Sequence, residues 1–583
     1  MSTPPRAPAP PAAKPWDRPL RRAALPLLLV GAIAALTALG LARGGLVISQ
    51  HEGDLLHLTQ VLMLMQQDWV PHLDFRTPVG LLAFWPLDLA LDAGWGADWG
   101  IGQGFVLAQG AVALALVPAI WWVAVSRFVG WAQAALAGVA VIWLLALVHG
   151  GVTAGLSVSM HYNRWAWTVA MLAILTACLP RRAGTAEASR VGGLADALLI
   201  GVGFAILGLT KASFAVAFAP GVILALLLRG QTRVLAGAVL AGLAACAAIA
   251  LVWGAGFWPA YVRDLLWVAG SSVRPYPGQP LSTVIAGPAF LPATLLLLAA
   301  VIALRRDAPA WRALPLLLLA PGFVYVTYQN FGNDPKWLLI LAFLLAHRWQ
   351  QAAPGAARTA ALVLTVVAGA MASGSLVNMA RSTLANALGG AGQGVALFAP
   401  DHPGRDLRTD PRRLATLDLV LAAEEAPDGL APPPPSAALA KGVTIRPNTV
   451  SFMGAALPNC GIDKGLIAHQ RGLARAASRM IAKAKGPPGP NRARVFVADL
   501  FSAPWIFGDL APVTPLAPWN YGALTGIASA DYLLVPLCAV NPPLRKTLLT
   551  ALTARAKAGR MRFTRISPAR DQDGLRLYAI RHE

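Results

Sequence analysis

The run Ala23–Leu41 (AALPLLLVGAIAALTALGL) is followed within a few residues by Ser49–His57 (SQHEGDLLH). About 20 mainly apolar residues suffice for a helix to cross a bilayer, so the first segment reads as a membrane span. The carboxylates of Glu52 and Asp54 then stand where the chain leaves the membrane. A second acidic segment, His72–Pro78 (HLDFRTP), comes soon after and leads into another apolar stretch. Carboxylates at a membrane face, ahead of many further spans, point to chemistry on a lipid-borne substrate. The competing reading is that they merely solvate an external loop.

Working outward, composition excludes an ordinary soluble enzyme. The chain has 583 residues, 56% of them hydrophobic and 13% charged, with a mean hydropathy of +0.57; soluble domains carry roughly 25% charged residues. The apolar runs fill the first two thirds. A net charge of +21 would suggest nucleic acid in a soluble protein, but short basic loops report membrane orientation. That rule puts the basic N-terminus (Arg6, Lys14, Arg18, Arg21, Arg22) in the cytoplasm, and no nucleic-acid partner is expected. The N-terminus is Pro-rich and no small-residue cleavage site follows a short apolar core, so Ala23–Leu41 reads as a retained anchor.

Spans are expected near 23–42, 104–125, 132–149, 163–179, 192–209, 212–229, 233–253, 283–304, 312–328, 336–347 and 357–378. With about eleven crossings, Arg127, Arg181, Arg182, Arg190, Arg229, Arg233, Arg305, Arg306, Arg312, Arg348 and Arg358 all fall on the cytoplasmic side. The condition is that Val79–Leu91, which contains Pro86 and Asp88, lies at the outer face or re-enters. The expected organisation is a cytoplasmic tail (1–22), a transmembrane domain (23–379) with its first periplasmic loop at 43–78, and a periplasmic soluble domain (380–583). The fold class is thus a polytopic α-helical membrane protein with a C-terminal soluble α/β domain, in a bacterial inner membrane.

Beyond residue 380 the chain turns polar, with Pro432–Pro435 and Gly486–Pro490 as linker-like stretches. Arg494–Ala498 and Tyr532–Leu537 look like buried strands, and Leu466–Lys485 reads as a helix with Ile467, Leu473, Ala477 and Ile481 on its apolar side. This segment holds 25 Lys and Arg against 14 Asp and Glu, an excess that suits anionic lipid headgroups or a solvated surface equally. Cys178 and Cys246 fall in expected spans and pack as small apolar groups. Cys460 and Cys538 share the outer domain, where an oxidising compartment permits a disulfide. No CxxC, HExxH, Walker-type or dinucleotide-binding glycine signature occurs, and no repeat is evident.

Residues 51–84 (HEGDLLHLTQVLMLMQQDWVPHLDFRTPVGLLAF) resemble the first outer loop of the GT-C membrane glycosyltransferases, the superfamily of the protein O-mannosyltransferases and the bacterial aminoarabinose transferases. In that pattern an acidic pair follows the first span, then an amphipathic helix, a Y-x-D-F turn and a Pro-led apolar helix. Here Glu52 and Asp54 match the acids, Leu55–Gln67 the helix, Asp74-Phe75 the turn and Pro78 the Pro-led segment. Many relatives open the motif with Asp-Glu where this chain has His51-Glu52, so the base is open between Glu52 and Asp54.

The resemblance implies transfer of a sugar from a polyprenyl-phosphate donor to an envelope glycan, lipid or protein at the periplasmic face. An acceptor hydroxyl needs a base within hydrogen-bond reach, and a carboxylate can take that proton or hold a divalent cation, Mg or Mn, near the leaving phosphate. Asp54 is favoured as base, one helical turn from Gln50 and Leu58, with Glu52 next. Asp74 serves substrate orientation or metal, or only caps a turn. The donor phosphate needs cations. Lys211 (GLTKASF, 208–214) is first, followed by the outer cations that break the topology rule: Arg164, Arg263 and Arg274, and Lys336 beside Asn333. His51, His57 and His72 read as polar loop or cavity residues. The rival readings are a transporter or flippase, which would show ionisable groups near the midplane of two related halves, and a catalytically inactive scaffold.

Overall fold

The computed structural model describes residues 19–93, 99–151, 155–182, 190–271, 281–282, 290–306, 310–330, 334–389, 394–421, 450–458, 460–485, 492–568 and 574–583. Its helices are α1 (Pro19–Ala42), α2 (Glu52–Met65), α3 (Trp85–Asp92), α4 (Ile101–Arg127), α5 (Trp131–Leu145), α6 (His161–Cys178), α7 (Arg190–Leu228), α8 (Thr232–Trp253) and α9 (Phe257–Ala269). Then come α10 (Phe290–Arg306), α11 (Ala310–Gln329), α12 (Trp337–Gln351), α13 (Ala356–Leu388), α14 (Pro411–Ala415), α15 (Leu466–Lys485) and α16 (Pro542–Lys557).

Among the described residues, five stretches are long and apolar enough to cross a membrane: Ala24–Ala42, Ile101–Arg127, Val191–Leu228, Thr232–Trp253 and Ala356–Leu388. Trp131–Leu145, Phe290–Arg305 and Ala313–Gln329 are shorter apolar helices. Burial sorts them into layers. α6 is buried along almost its whole length, as is α12 from Trp337 to His347, and a helix apolar all round belongs in a core. At the periphery Leu27, Leu240 and Val366 are exposed and Leu251 is 87% exposed. Such a continuous apolar exterior is not tolerated in water and suits lipid.

The two spans expected at 192–209 and 212–229 are joined without a loop. Lys211 alone leaves helical geometry inside α7 (φ −153°, ψ 98°), and the chain doubles back there. A straight helix would put Asp196 and Arg229 about 50 Å apart at 1.5 Å per residue. Instead, Arg127 reaches both the Asp196 carboxylate at 2.6 Å and the Thr176 carbonyl at 3.3 Å, and Arg229 donates to the Thr176 and Ala177 carbonyls. Val129 and Gln350 pair at the same end. Gly208, Thr210 and Lys211 lie at the opposite end, bonded to Tyr261, Gly80 and Asn330.

Val79–Leu91 forms a 3-10 turn (Leu81–Ala83) and the eight-residue α3, which at about 12 Å is too short to cross. The last helix of the bundle runs past the span expected near 357–378, to Leu388. The amphipathic helix expected over Leu55–Gln67 is Glu52–Met65, and Leu55 through Leu62 are buried without interruption, because the C-terminal domain covers the face that would otherwise meet solvent. Residues 1–18 of the N-terminal tail and both Pro-rich linkers lie outside the described residues.

The C-terminal domain is stitched to the loop after α1. Strand β1 (Leu46–Val47) pairs in parallel with β3 (Leu407–Thr409), which also holds β2 (Val395–Ala396). The Asp406 carboxylate accepts the Gly102 and Gln103 N–H groups at the start of α4, at 2.9 and 2.7 Å. Two small ladders follow, β4 (Asp418–Leu421) with β7 (Cys460–Lys464), and β5 (Val450–Phe452) with β6 (Ala455–Leu457). The main sheet has five strands, β8 (Ala493–Val497), β9 (Leu510–Ala511), β10 (Tyr532–Pro536), β11 (Met561–Arg565) and β12 (Leu575–His582), in the order β11-β12-β10-β8-β9. Both expected strands are there, side by side and parallel, and α15 spans the expected residues with Ile467, Leu473, Ala477 and Ile481 buried. Part of the basic excess is internal. Arg545 is buried on the carbonyls of Pro536 and Pro458, and Arg576 on those of Ala455 and Ala456.

Cys460 and Cys538 are bridged, with Cα atoms 4.7 Å apart and a sequence separation of 78, which ties β7 to the main sheet. Replacing both by Ser should cost the domain about 2–4 kcal/mol, read as a lower thermal midpoint; an unchanged midpoint would contradict the bridge. Single-cysteine reporters at Gly130, Gln231 and Gly355 should label from one side of the membrane and a reporter at Gly559 from the other. Opposite labelling of Gly130 and Gln231 would mean that α7 does not fold back.

Candidate active site

The acids owe their position to the start of α2. His51 takes a left-handed conformation (φ 57°, ψ 55°), uncommon for a non-glycine residue. It turns the chain into the helix so that Glu52 and Asp54 fall in the first turn, where the unpaired N–H groups favour negative charge. Facing them is the segment Leu156–Met160, which ends in a second left-handed residue, Met160 (φ 55°).

The two acids have different neighbours. Glu52 is occupied by the C-terminal domain: one oxygen meets Arg413 at 3.3 Å, the other accepts the Ile467 N–H at 3.1 Å at the start of α15. It borders a cleft of about 520 Å³ shared with His51, Arg412, Arg413, Lys464 and Leu466. Asp54 faces the helical body instead and accepts a hydrogen bond from the Ser159 hydroxyl. The Ser159 carbonyl in turn accepts from Arg164 at 2.9 Å, and Arg164 also holds the Ala146 carbonyl at 2.7 Å.

Arg164 also lines a small chamber of about 10 Å³, with His149, Asn163, Asn330, Asp334 and Lys336 among others, with room for about one water. Lys336 pairs with Asp334 at 2.8 Å, and the Ser375 hydroxyl donates to the other Asp334 oxygen. Lys211, at the α7 reversal, donates to Asn330 and lies 5.7 Å from the Tyr162 ring centre. The structure therefore joins Glu52, Asp54, His51, Arg164, Lys336 and Lys211 through shared neighbours at one end of the bundle.

Other expected residues lie elsewhere. Asp74 is exposed and accepts the Val70 N–H at 2.7 Å, so it caps its own turn. Arg263 holds the His72 carbonyl at 2.8 Å, and buried Asp264 accepts from His72 at 3.0 Å, fastening α9 to the first loop. His57 stacks on Trp519 at 4.0 Å. Asn333 and Arg274 lie outside the described residues. Among the described residues no group of three or more His, Cys, Asp or Glu side chains could hold a metal; Glu52 meets Arg413 and Ile467, and Asp74 its own turn.

The electrostatics follow from burial. It pushes the His51 imidazole below its ordinary value; Asp54 opposes this, while Arg164 and Arg413 reinforce it. Burial, then Lys336 and His51, bring His149 down to about 4. Both rings are therefore neutral at pH 7. For Asp334 burial alone would raise the carboxyl, but Lys336, Ser375 and His149 outweigh it and hold it below the usual carboxylate range. His149, Ser157, Ser159 and Ser375 escaped the sequence reading. Single His and Ser residues in apolar surroundings carry no spacing signal, although the polar residues Ser157, Ser159 and His161–Arg164 lie close together in the sequence.

Removing Lys336 strands a buried carboxylate, so Lys336→Met should cost about 3–5 kcal/mol, with Asp334→Asn in the same chain restoring part of it. A depressed carboxyl stabilises the fold above its unfolded value of about 3.9 and loses that contribution as pH falls through the folded value. The gap in thermal midpoint between wild type and Lys336→Met should therefore narrow at acidic pH; a constant gap down to pH 3 would contradict the pairing.

No family model matches the chain, and no curated protein matches it. A solved structure that aligns with it is the crystal structure of ArnT from Cupriavidus metallidurans in the apo state, at 12% identity, over 96% of this chain and 98% of that one, with a TM-score of 0.37. A likeness of that strength carries no argument about function.

Proposed function

We propose that the protein is a membrane glycosyltransferase that moves a sugar from a polyprenyl-phosphate donor to a cell-envelope acceptor at the periplasmic face of a bacterial inner membrane. One observation carries the reading: Asp54 is bonded to Ser159, whose carbonyl is held by Arg164, and Arg164 lines a chamber with Lys336 and Asn330, the partner of Lys211. A base beside a set of cations is what displacement of a phosphate by a hydroxyl requires. The base takes the acceptor proton as its oxygen attacks the anomeric carbon, and the cations receive the charge of the leaving phosphate.

The resemblance of residues 51–84 to the GT-C first loop supports the same reading. The residue types add that Asp54 is the base and Glu52 a positioning group, since the Glu52 oxygens hold the C-terminal domain in place. The chamber admits about one water as it stands, so donor binding opens it. The charges gather at one end of the bundle, which favours chemistry at a membrane face over passage through the midplane.

Asp54→Asn keeps size and removes the charge. Transfer of labelled sugar from a polyprenyl-phosphate donor in expression-matched membranes should fall about 10²–10⁴-fold. Glu52→Gln should cost less in rate and show instead as faster amide exchange at Ile467. Lys211→Met should raise the donor KM. Near wild-type transfer by Asp54→Asn would overturn the assignment and favour a scaffold.

A further inference from the structure

Asn163 stands in the first turn of α6 and is 5% exposed; its neighbour Arg164 is 1% exposed. Both line the chamber of about 10 Å³ that they share with Asn330 and Lys336. Those two partners are engaged. Lys336 is paired with Asp334, and Asn330 donates its amide to the Val326 carbonyl while its oxygen accepts from the Lys211 ammonium. Arg164 donates from both terminal nitrogens, to the Ser159 and Ala146 carbonyls. The Arg164 Nε–H and both ends of the Asn163 amide are different. They are shut off from solvent, and among the described residues they meet no hydrogen-bonding group.

Buried polar groups in folded proteins are almost always paired, so a side-chain amide with both ends unmet at the wall of a chamber points to a ligand. The amide also says what kind. Its oxygen accepts and its nitrogen donates, so the partner must both donate and accept. The two ends are alike in lacking a partner, and exchanging them changes nothing. A phosphate diester only accepts, and would set its oxygens against the amide oxygen. A hydroxyl donates to that oxygen and accepts from the amide N–H or from the Arg164 Nε–H. The volume agrees, since room for about one water is room for one hydroxyl.

We propose that Asn163 and Arg164 form a subsite for a hydroxyl of the donor's sugar, with Asn163 as the residue that determines which sugar is taken. This rests on the glycosyl-transfer reading. The sugar ring is bonded to a phosphate oxygen, so a phosphate held at Lys211 brings the ring hydroxyls with it. Asn330 links the two places, because it holds Lys211 and also lines the chamber. When no donor is bound, one water can make the same contacts, and the hydroxyl displaces it as the chamber opens. The site thus divides its work by chemistry: cations for the phosphate, and a group that both gives and takes for the sugar. A pocket built to hydrogen-bond a hydroxyl discriminates against a substrate that cannot supply it.

The test is binding, measured on the full-length protein in lipid nanodiscs, of polyprenyl phosphate and of polyprenyl-phosphoryl glucose, mannose and galactose. The wild type should hold one of the sugar-bearing lipids more tightly than polyprenyl phosphate. Asn163→Leu keeps the size of the side chain and removes both hydrogen-bonding ends. It should weaken binding of the preferred sugar-bearing lipid about tenfold or more and bind polyprenyl phosphate much as the wild type does. Asn163→Ala is the second variant, in case leucine disturbs α6, and Lys211→Met should weaken both kinds of lipid. Unchanged affinity of both Asn163 variants for the sugar-bearing lipids would overturn the subsite and leave a structural water only. Equal losses toward bare and sugar-bearing lipid, or a wild type indifferent to the sugar, would overturn it too. A wild type that binds none of these lipids would instead overturn the glycosyl-transfer reading, and the subsite with it.

Discussion

Helix α2 has no face left for solvent, and that constraint organises the rest of the molecule. Its buried stretch includes His57, Thr59 and Gln60 as well as leucines, and buried polar groups need partners. The C-terminal domain covers the helix: Trp505 donates to the Gln60 side chain at 3.0 Å, Trp519 stacks on His57, and the Ile467 N–H donates to Glu52. On the other side the first loop and α3 close over the helix. Domain and bundle are thus one body, and the N-terminus of α2, which carries Glu52 and Asp54, is held between them.

From that anchor the site is assembled by loops that converge at one end of the bundle. The reversal of α7 at Lys211, the Leu156–Met160 segment and the Asp334–Lys336 turn each bring polar groups to the same place. The far end is pinned by Arg127, Asp196 and Arg229. Polar groups gathered at one end of a bundle, on helix ends and the loops between them, are held by a scaffold that keeps their spacing. The Glu52–Arg413 contact places the C-terminal domain directly over the site, so the domain edge, with Arg412 and Lys464, borders any acceptor that approaches through the cleft.

What was legible in the sequence is what periodicity and length encode. The apolar runs, the helix Leu466–Lys485 and the strands around Val495 and Leu534 follow from local pattern, and Lys211 stands out as a lone charge between two apolar runs. The partnership of Glu52 with Arg413 spans 361 residues, and that of His51 with His149 spans 98; neither has a local signature. The burial of α2 was hidden for the same reason, because its apolar pattern looks alike under lipid and under protein. Asp74 stays open between two roles in the sequence because a capping carboxylate and a catalytic one have the same local pattern. The sequence places Lys211 between two spans, but with no glycine or proline beside it nothing local shows how tight the reversal is.

The central claim is that the acids at the head of α2 and the cations of the chamber serve one substrate. A structure with a polyprenyl phosphate bound tests it most directly. The phosphate should lie within hydrogen-bond reach of at least two of Lys211, Arg164 and Lys336, with the chamber opened and the Asp54 carboxylate on the side from which an acceptor would attack. A lipid phosphate bound away from these side chains, with the chamber still closed, would contradict it.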